Sequence, residues 1–83
     1  MIIRYFAWIR ERLNRDTQEL DLPNEVKTVE DLLHHLRETD EDFAAVVPPE
    51  TTIRLALDDE LVELDTAIGA AKEVSIFPPM TGG

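Results

Sequence analysis

The stretch TVEDLLHHLRE (28–38) carries the clearest helical signature in the chain. Val29, Leu32, Leu33 and Leu36 fall at i, i+3, i+4 and i+7, which makes one apolar stripe. Thr28 has the side chain of an N-cap, and Asp31 three residues later completes a capping-box-like pattern. A helix marked in this way has one face to bury, and the rest of the chain must supply the surface that buries it.

Upstream, MIIRYFAWI (1–9) is rich in β-branched and aromatic residues. Its alternation puts Ile3, Tyr5, Ala7 and Ile9 on one face and Ile2, Arg4, Phe6 and Trp8 on the other, as in a first strand. RERLNRD (10–16) reads as a polar turn around Asn14. TQELDLP (17–23) alternates again and gives the second strand of a hairpin, stopped by Pro23. Downstream, TDEDFAAVV (39–47) predicts a second short helix capped by Thr39 or Asp40 and ended by Pro48 and Pro49. TIRLAL (52–57) predicts a third strand, DDE (58–60) a turn and LVEL (61–64) a fourth strand. DTAIGAA (65–71) is a connection with room for one helical turn, and KEVSIFP (72–78) is the last strand. The order is β-β-α-α-β-β-β. It implies an α+β fold: a mixed sheet of about five strands, one face covered by one main helix, with a crossover from strand two to strand three.

The 83 residues make one domain with a small core, since a chain this short buries only about 60–65% of its unfolded surface. Asp and Glu number 18 against 8 Lys and Arg, a formal net charge of −10. That balance argues against nucleic acid and anionic membrane surfaces and favours a basic partner. No cysteine is present, so neither a disulfide framework nor thiolate chemistry is available. No apolar run is long enough to span a bilayer and no basic leader precedes one, so the chain reads as cytoplasmic.

The division expected is a folded unit over 1–77 and an extended C-terminal tail over 78–83. Pro78 and Pro79 fix φ, supply no N–H and favour polyproline geometry, which would carry the end of the chain roughly 18 Å beyond the sheet. Gly82 and Gly83 have no side chain and fit a channel too narrow for any other residue. The terminal carboxylate is ionised at neutral pH and becomes an electrophile only after activation, for example by adenylation.

The tail FPPMTGG resembles that of the small, sulfur-carrying subunits of molybdopterin synthase, the MoaD family within the ThiS/MoaD ubiquitin-like carriers. Phe77, Pro78, Pro79, Met80, Thr81, Gly82 and Gly83 match the family pattern throughout. Phe6, Arg10 and Glu11 in IRYFAWIRERL resemble the family's first strand, and LALDDELVELDTAI resembles the stretch before its last. AAKEV departs from the family's Gly-acid-Glu-Val turn, which suggests a turn displaced to Gly69. Asp58 stands where the family often has Asn.

The resemblance implies a ubiquitin-like β-grasp fold and a carrier that is not an enzyme on its own. An adenylating (MoeB-like) enzyme would use ATP to activate the Gly83 carboxylate, and a sulfur donor system would convert it to a thiocarboxylate. The tail would then enter the large, MoaE-like synthase subunit, in a heterotetramer, and give its sulfur to cyclic pyranopterin monophosphate. No cofactor would be bound by this chain. The partner-binding residues implied are Phe6, Leu61, Phe77, Pro78, Pro79, Met80, Thr81 and Gly82. Core packing is the competing reading for Phe6 and Leu61. It is weaker for Phe77, whose strand neighbours Val74 and Ile76 take the opposite face.

Two features carry no chemistry in this reading. His34 and His35 are adjacent on a helix, so their side chains diverge and cannot share a metal. Asp58, Asp59 and Glu60 lack calcium-loop spacing and read as a solvated turn. Alternatives kept open are a carrier for thiamine synthesis or tRNA thiolation, a protein tag joined through Gly83, and a non-catalytic β-grasp interaction module.

Overall fold

The structure, a computed structural model, describes residues 1–79 of the chain. Its elements are β1 (Ile2–Tyr5), α1 (Ala7–Leu13), β2 (Thr17–Glu19), α2 (Val29–Thr39), α3 (Glu41–Val46), β3 (Arg54–Leu57), β4 (Glu60–Val62) and β5 (Glu73–Phe77). The five strands form one mixed sheet in the order β2-β1-β5-β3-β4. The central β1–β5 pair is parallel and the other three pairs are antiparallel. This is the ubiquitin-like β-grasp arrangement, with α2 crossing the sheet between its two outer strand pairs.

Helix α2 forms as its pattern dictates. The Thr28 hydroxyl accepts the Asp31 N–H at 3.1 Å, and the Asp31 carboxylate accepts the Thr28 N–H, also at 3.1 Å. Two first-turn donors are thereby satisfied reciprocally. Val29, Leu32, Leu33 and Leu36 are buried against Ile3 and Tyr5 of β1, Leu55 and Leu57 of β3, and Val74 and Ile76 of β5. Each such side chain contributes about 1.5–3 kcal/mol of burial free energy. Asp40, rather than Thr39, caps α3 by accepting the Phe43 N–H at 3.1 Å.

The first strand is shorter than its alternation predicts. β1 stops at Tyr5, and the residues expected to be the rest of the strand and the turn form α1. Two periodicities compete over this segment. Ile9 and Leu13 stand one helical turn apart and both are buried, and Arg10, Glu11, Arg12 and Leu13 are strong helix formers. Trp8 and Arg12 share the next helical row, and the guanidinium lies 5.0 Å from the indole centroid. Asn14, expected in a turn, is the C-cap in the left-handed conformation, and its N–H donates to the Arg10 carbonyl at 2.9 Å.

The segment 65–71 forms no helix; its middle is tied to the start of α2, with Ala67 bridging Thr28 and the Ile68 N–H donating to the Lys27 carbonyl at 2.8 Å. The Val29 N–H donates to the Thr66 carbonyl and the Glu30 N–H to the Leu64 carbonyl, at 3.0 and 2.9 Å. The start of α2 thus fixes the path of this connection between its two turns. Gly69 takes a positive φ of 57° before β5, which is the displaced turn expected from the sequence.

Asp58 and Asp59 both have positive φ, 45° and 70°, as a two-residue hairpin turn of the primed type requires. The Asp58 carboxylate also accepts the Lys72 and Glu73 N–H groups at 3.1 and 3.0 Å. The acidic turn is therefore not merely solvated; it pins the start of β5.

A polar network joins the α1–β2 turn to the α2–α3 junction. Arg15 donates to Asp40 at 2.7 Å and to Gln18 at 2.8 Å, and the Tyr5 hydroxyl donates to Gln18 at 3.0 Å. Burial is the main reason that the Tyr5 phenol is pushed up to about 12. For Asp40 burial acts upward, but the Arg15 hydrogen bond and the Phe43 N–H together bring the carboxyl below its ordinary value. A carboxyl depressed by folding adds stability above its unfolded pKa, and that stability is lost as pH falls through the folded value. Asp40→Asn keeps the cap and removes the charge. It should lower stability by about 1 kcal/mol at neutral pH. The gap from wild type should close below the normal Asp range of about 3.9. Thermal unfolding followed from pH 7 downward reads both, and a gap that persists in strong acid would contradict the assignment.

Candidate functional site

Strand alternation leaves one sheet face without a helix over it, and the sequence has placed its unspent apolar side chains there. Ile3, Tyr5, Leu55, Leu57, Val74 and Ile76 point into the core, so their neighbours point the other way. Register then fixes who meets whom. Arg4 pairs with Ser75, Ser75 with Ala56, and Ala56 with Leu61, which gives one row across β1, β5, β3 and β4. Phe77 pairs with Arg54 in the next row, and the Phe6 N–H donates to the Ile76 carbonyl at 3.2 Å, extending the parallel ladder to the aromatic pair.

Phe6, Ala7, Ala56, Asp59, Leu61, Ser75, Phe77, Pro78 and Pro79 line an open depression of about 490 Å³. Ala56 and Ser75 form a low floor. The rings of Phe6 and Phe77 meet edge to face, with centroids 6.2 Å apart and planes at 89°. Phe6 is 39% exposed and Leu61 65% exposed, values that rule out core packing for both. An exposed cluster of this kind is what a partner surface is built from.

Five of the partner-binding residues expected from the sequence are thus brought together: Phe6, Leu61, Phe77, Pro78 and Pro79. Met80, Thr81, Gly82 and Gly83 lie outside the described residues. The two prolines that follow β5 line the depression, immediately before residues 80–83. Ala7, Ala56, Asp59 and Ser75 were not anticipated. The alternation of β3 and β5 could have flagged Ala56 and Ser75, but Ala7 and Asp59 join the depression only through the α1 and hairpin turns. Ala7 has a φ of 54° at the start of α1, where the chain passes from β1 into the helix.

The remaining polar features lie elsewhere. Arg4 meets Glu73 at 3.5 Å on the open face, toward the far end of β5. His34 is exposed and His35 half-buried on α2. Among the described residues no helix is long and apolar enough to cross a membrane.

Comparison with known proteins gives a consistent result. The ThiS family model matches residues 3–83. The molybdopterin synthase sulfur carrier subunit of Escherichia coli is 31% identical over 83 residues, covering 98% of this chain and 96% of that protein. The subunit of the same name from Haemophilus influenzae is 27% identical over 81 residues, with the same coverage of 98% and 96%. Among solved structures, SAMP1 from Haloferax volcanii superposes with a TM-score of 0.73 at 25% identity, covering 99% of this chain and 97% of that one.

Proposed function

This chain belongs to the ThiS family, and from that premise we propose that it is the sulfur-carrier subunit of a molybdopterin synthase. Two relatives matched over nearly their whole length carry that name, which supports the reading. The observation that carries it is the exposed apolar depression at the root of the tail, where Phe77 and the two prolines join Phe6 and Leu61.

In this reading the chain does no chemistry until a partner holds it. An activating enzyme joins the Gly83 carboxylate to the α-phosphate of ATP and releases pyrophosphate. The resulting acyl-adenylate is the electrophile that the free carboxylate is not, and a sulfur donor displaces AMP to leave a thiocarboxylate. The large synthase subunit then receives the tail, and the sulfur passes to cyclic pyranopterin monophosphate. Water then cleaves the bond between the Gly83 acyl carbon and the transferred sulfur, which leaves the sulfur on the acceptor and regenerates the carboxylate for another round. The fold's part is to anchor the carrier through the Phe6–Leu61–Phe77 face while the slender end reaches the reacting centre. With no cysteine in the chain, the sulfur has one place to be carried.

The test is intact-mass spectrometry of the full chain after incubation with ATP, its activating enzyme and a sulfur source. The expected product has one oxygen replaced by sulfur, localised to Gly83. Sulfur transfer to a tRNA or thiazole acceptor would keep the carrier chemistry and change the pathway. Isopeptide linkage of Gly83 to lysines would make the chain a tag. Complex formation and activity that survive removal of Thr81, Gly82 and Gly83 would leave only an interaction module.

A further inference from the structure

We propose that Ala7 is a positioning residue of the carrier face: its methyl group, held in a conformation that suits glycine better, stiffens the turn behind Phe6 and so sets the ring for the large synthase subunit. The identity of the partner rests on the carrier reading; the strain at Ala7 does not.

Among the described residues, four that are not glycine have positive φ: Ala7, Asn14, Asp58 and Asp59. Asn and Asp tolerate the left-handed region because their short polar side chains bond locally. Asp58 does so here, accepting the Lys72 and Glu73 N–H groups. Alanine has no such compensation, and its Cβ is strained at a φ of 54°. Of the four, Ala7 is the one whose residue type opposes its conformation.

The strain persists because both flanks are fixed. On one side the Phe6 N–H donates to the Ile76 carbonyl at 3.2 Å, which ties Phe6 to β5. On the other the Phe6 carbonyl accepts the Arg10 N–H at 3.3 Å and Ile9 is fully buried, which ties down the start of α1. The chain turns between these anchors, and glycine would turn there without strain. The core does not need the methyl, since Ala7 is exposed. Ala7 instead lines the depression together with Phe6, whose ring packs edge to face on Phe77. A strained residue that the core does not require, within a binding face, is where stability is given up for function. Alanine narrows the backbone freedom next to Phe6 that glycine would widen, so the ring has less freedom to lose when it is bound.

The test compares Ala7→Gly, Ala7→Ser and Leu61→Glu in the full chain, by thermal unfolding and by calorimetric titration with the large synthase subunit. Ala7→Gly should raise the thermal midpoint by about 2–6 °C, because strain is removed. It should also weaken binding about fivefold. A purely structural role would not move these two readouts in opposite directions. Ala7→Ser keeps a Cβ and should bind within about twofold of wild type. In the free chain, nuclear Overhauser contacts between the Phe6 and Phe77 rings should weaken in Ala7→Gly and persist in Ala7→Ser.

The inference is overturned if Ala7→Gly binds as wild type does, if it lowers the midpoint, or if its ring contacts are unchanged. Loss of affinity in Ala7→Ser as large as in Ala7→Gly also overturns it. Leu61→Glu separates this result from the carrier reading. Binding lost in Leu61→Glu but kept in Ala7→Gly leaves the face standing and removes the role of Ala7. Binding kept in Leu61→Glu means that this face is not the interface, and both readings fall.

Discussion

Adding one residue after Gly83, or removing Gly83, should abolish sulfur transfer while leaving the fold untouched. The reacting group in the proposed mechanism is the carboxylate of that one residue. Its position relative to the activating enzyme's ATP is fixed by the number of residues between it and the anchored face. One residue of extended chain is about 3 Å, enough to move the carboxylate out of attacking geometry. The loss should be at least about a hundredfold in thiocarboxylate formation. Stability should not follow, because among the described residues the buried core runs from Ile3 to Ile76. A thermal midpoint within about 2–4 °C of wild type is expected. Sulfur transfer that tolerates an extra terminal residue would show that the chemistry does not occur at the Gly83 carboxylate.

Leu61→Glu is the counterpart on the proposed anchoring face. Leu61 is 65% exposed on β4, opposite Ala56, and it touches the core of its own chain little. Its replacement costs little internal packing. In a complex, however, the substitution would bury a carboxylate against Phe6 and Phe77 of the same face and beside Asp59. Loss of an apolar anchor together with an unpaired buried charge amounts to about 3–5 kcal/mol, more than a hundredfold in affinity. Binding to the large synthase subunit, measured by calorimetry, should fall by that factor with thermal stability retained. A variant that binds as tightly as wild type would remove Leu61, and with it this face, from the interface. Stopped-flow mixing of the same two proteins should show slower association at raised salt, because the net charge of −10 acts over distance and is screened, while apolar contact is not.

What the chain determined by local pattern is the part whose physics is local. The α2 stripe, its Thr28–Asp31 box, the alternation of Leu55 and Leu57 and of Val74 and Ile76, and the φ restriction at Pro78 and Pro79 each depend on residues a few positions apart. The β-grasp order and the aromatic-proline approach to the tail were legible for that reason. The α1 helix was not, because strand and helix periods agree on where Ile9 goes. Only the closing of the sheet at Tyr5 and the burial of Leu13 decide between them.

The candidate site divides along the same line. Alternation on β5 alone sends Phe77 away from the core. That Phe6 meets it edge to face depends on the parallel pairing of β1 with β5, and that Leu61 faces the same depression depends on the register of β4 against Ala56. The left-handed turn at Asp58 and Asp59 then brings the Asp59 carboxylate into the lining of the depression. These are contacts between residues more than fifty positions apart in several cases, set by sheet order and strand register. Local periodicity says which side of a strand a residue takes; the tertiary fold decides what it meets there.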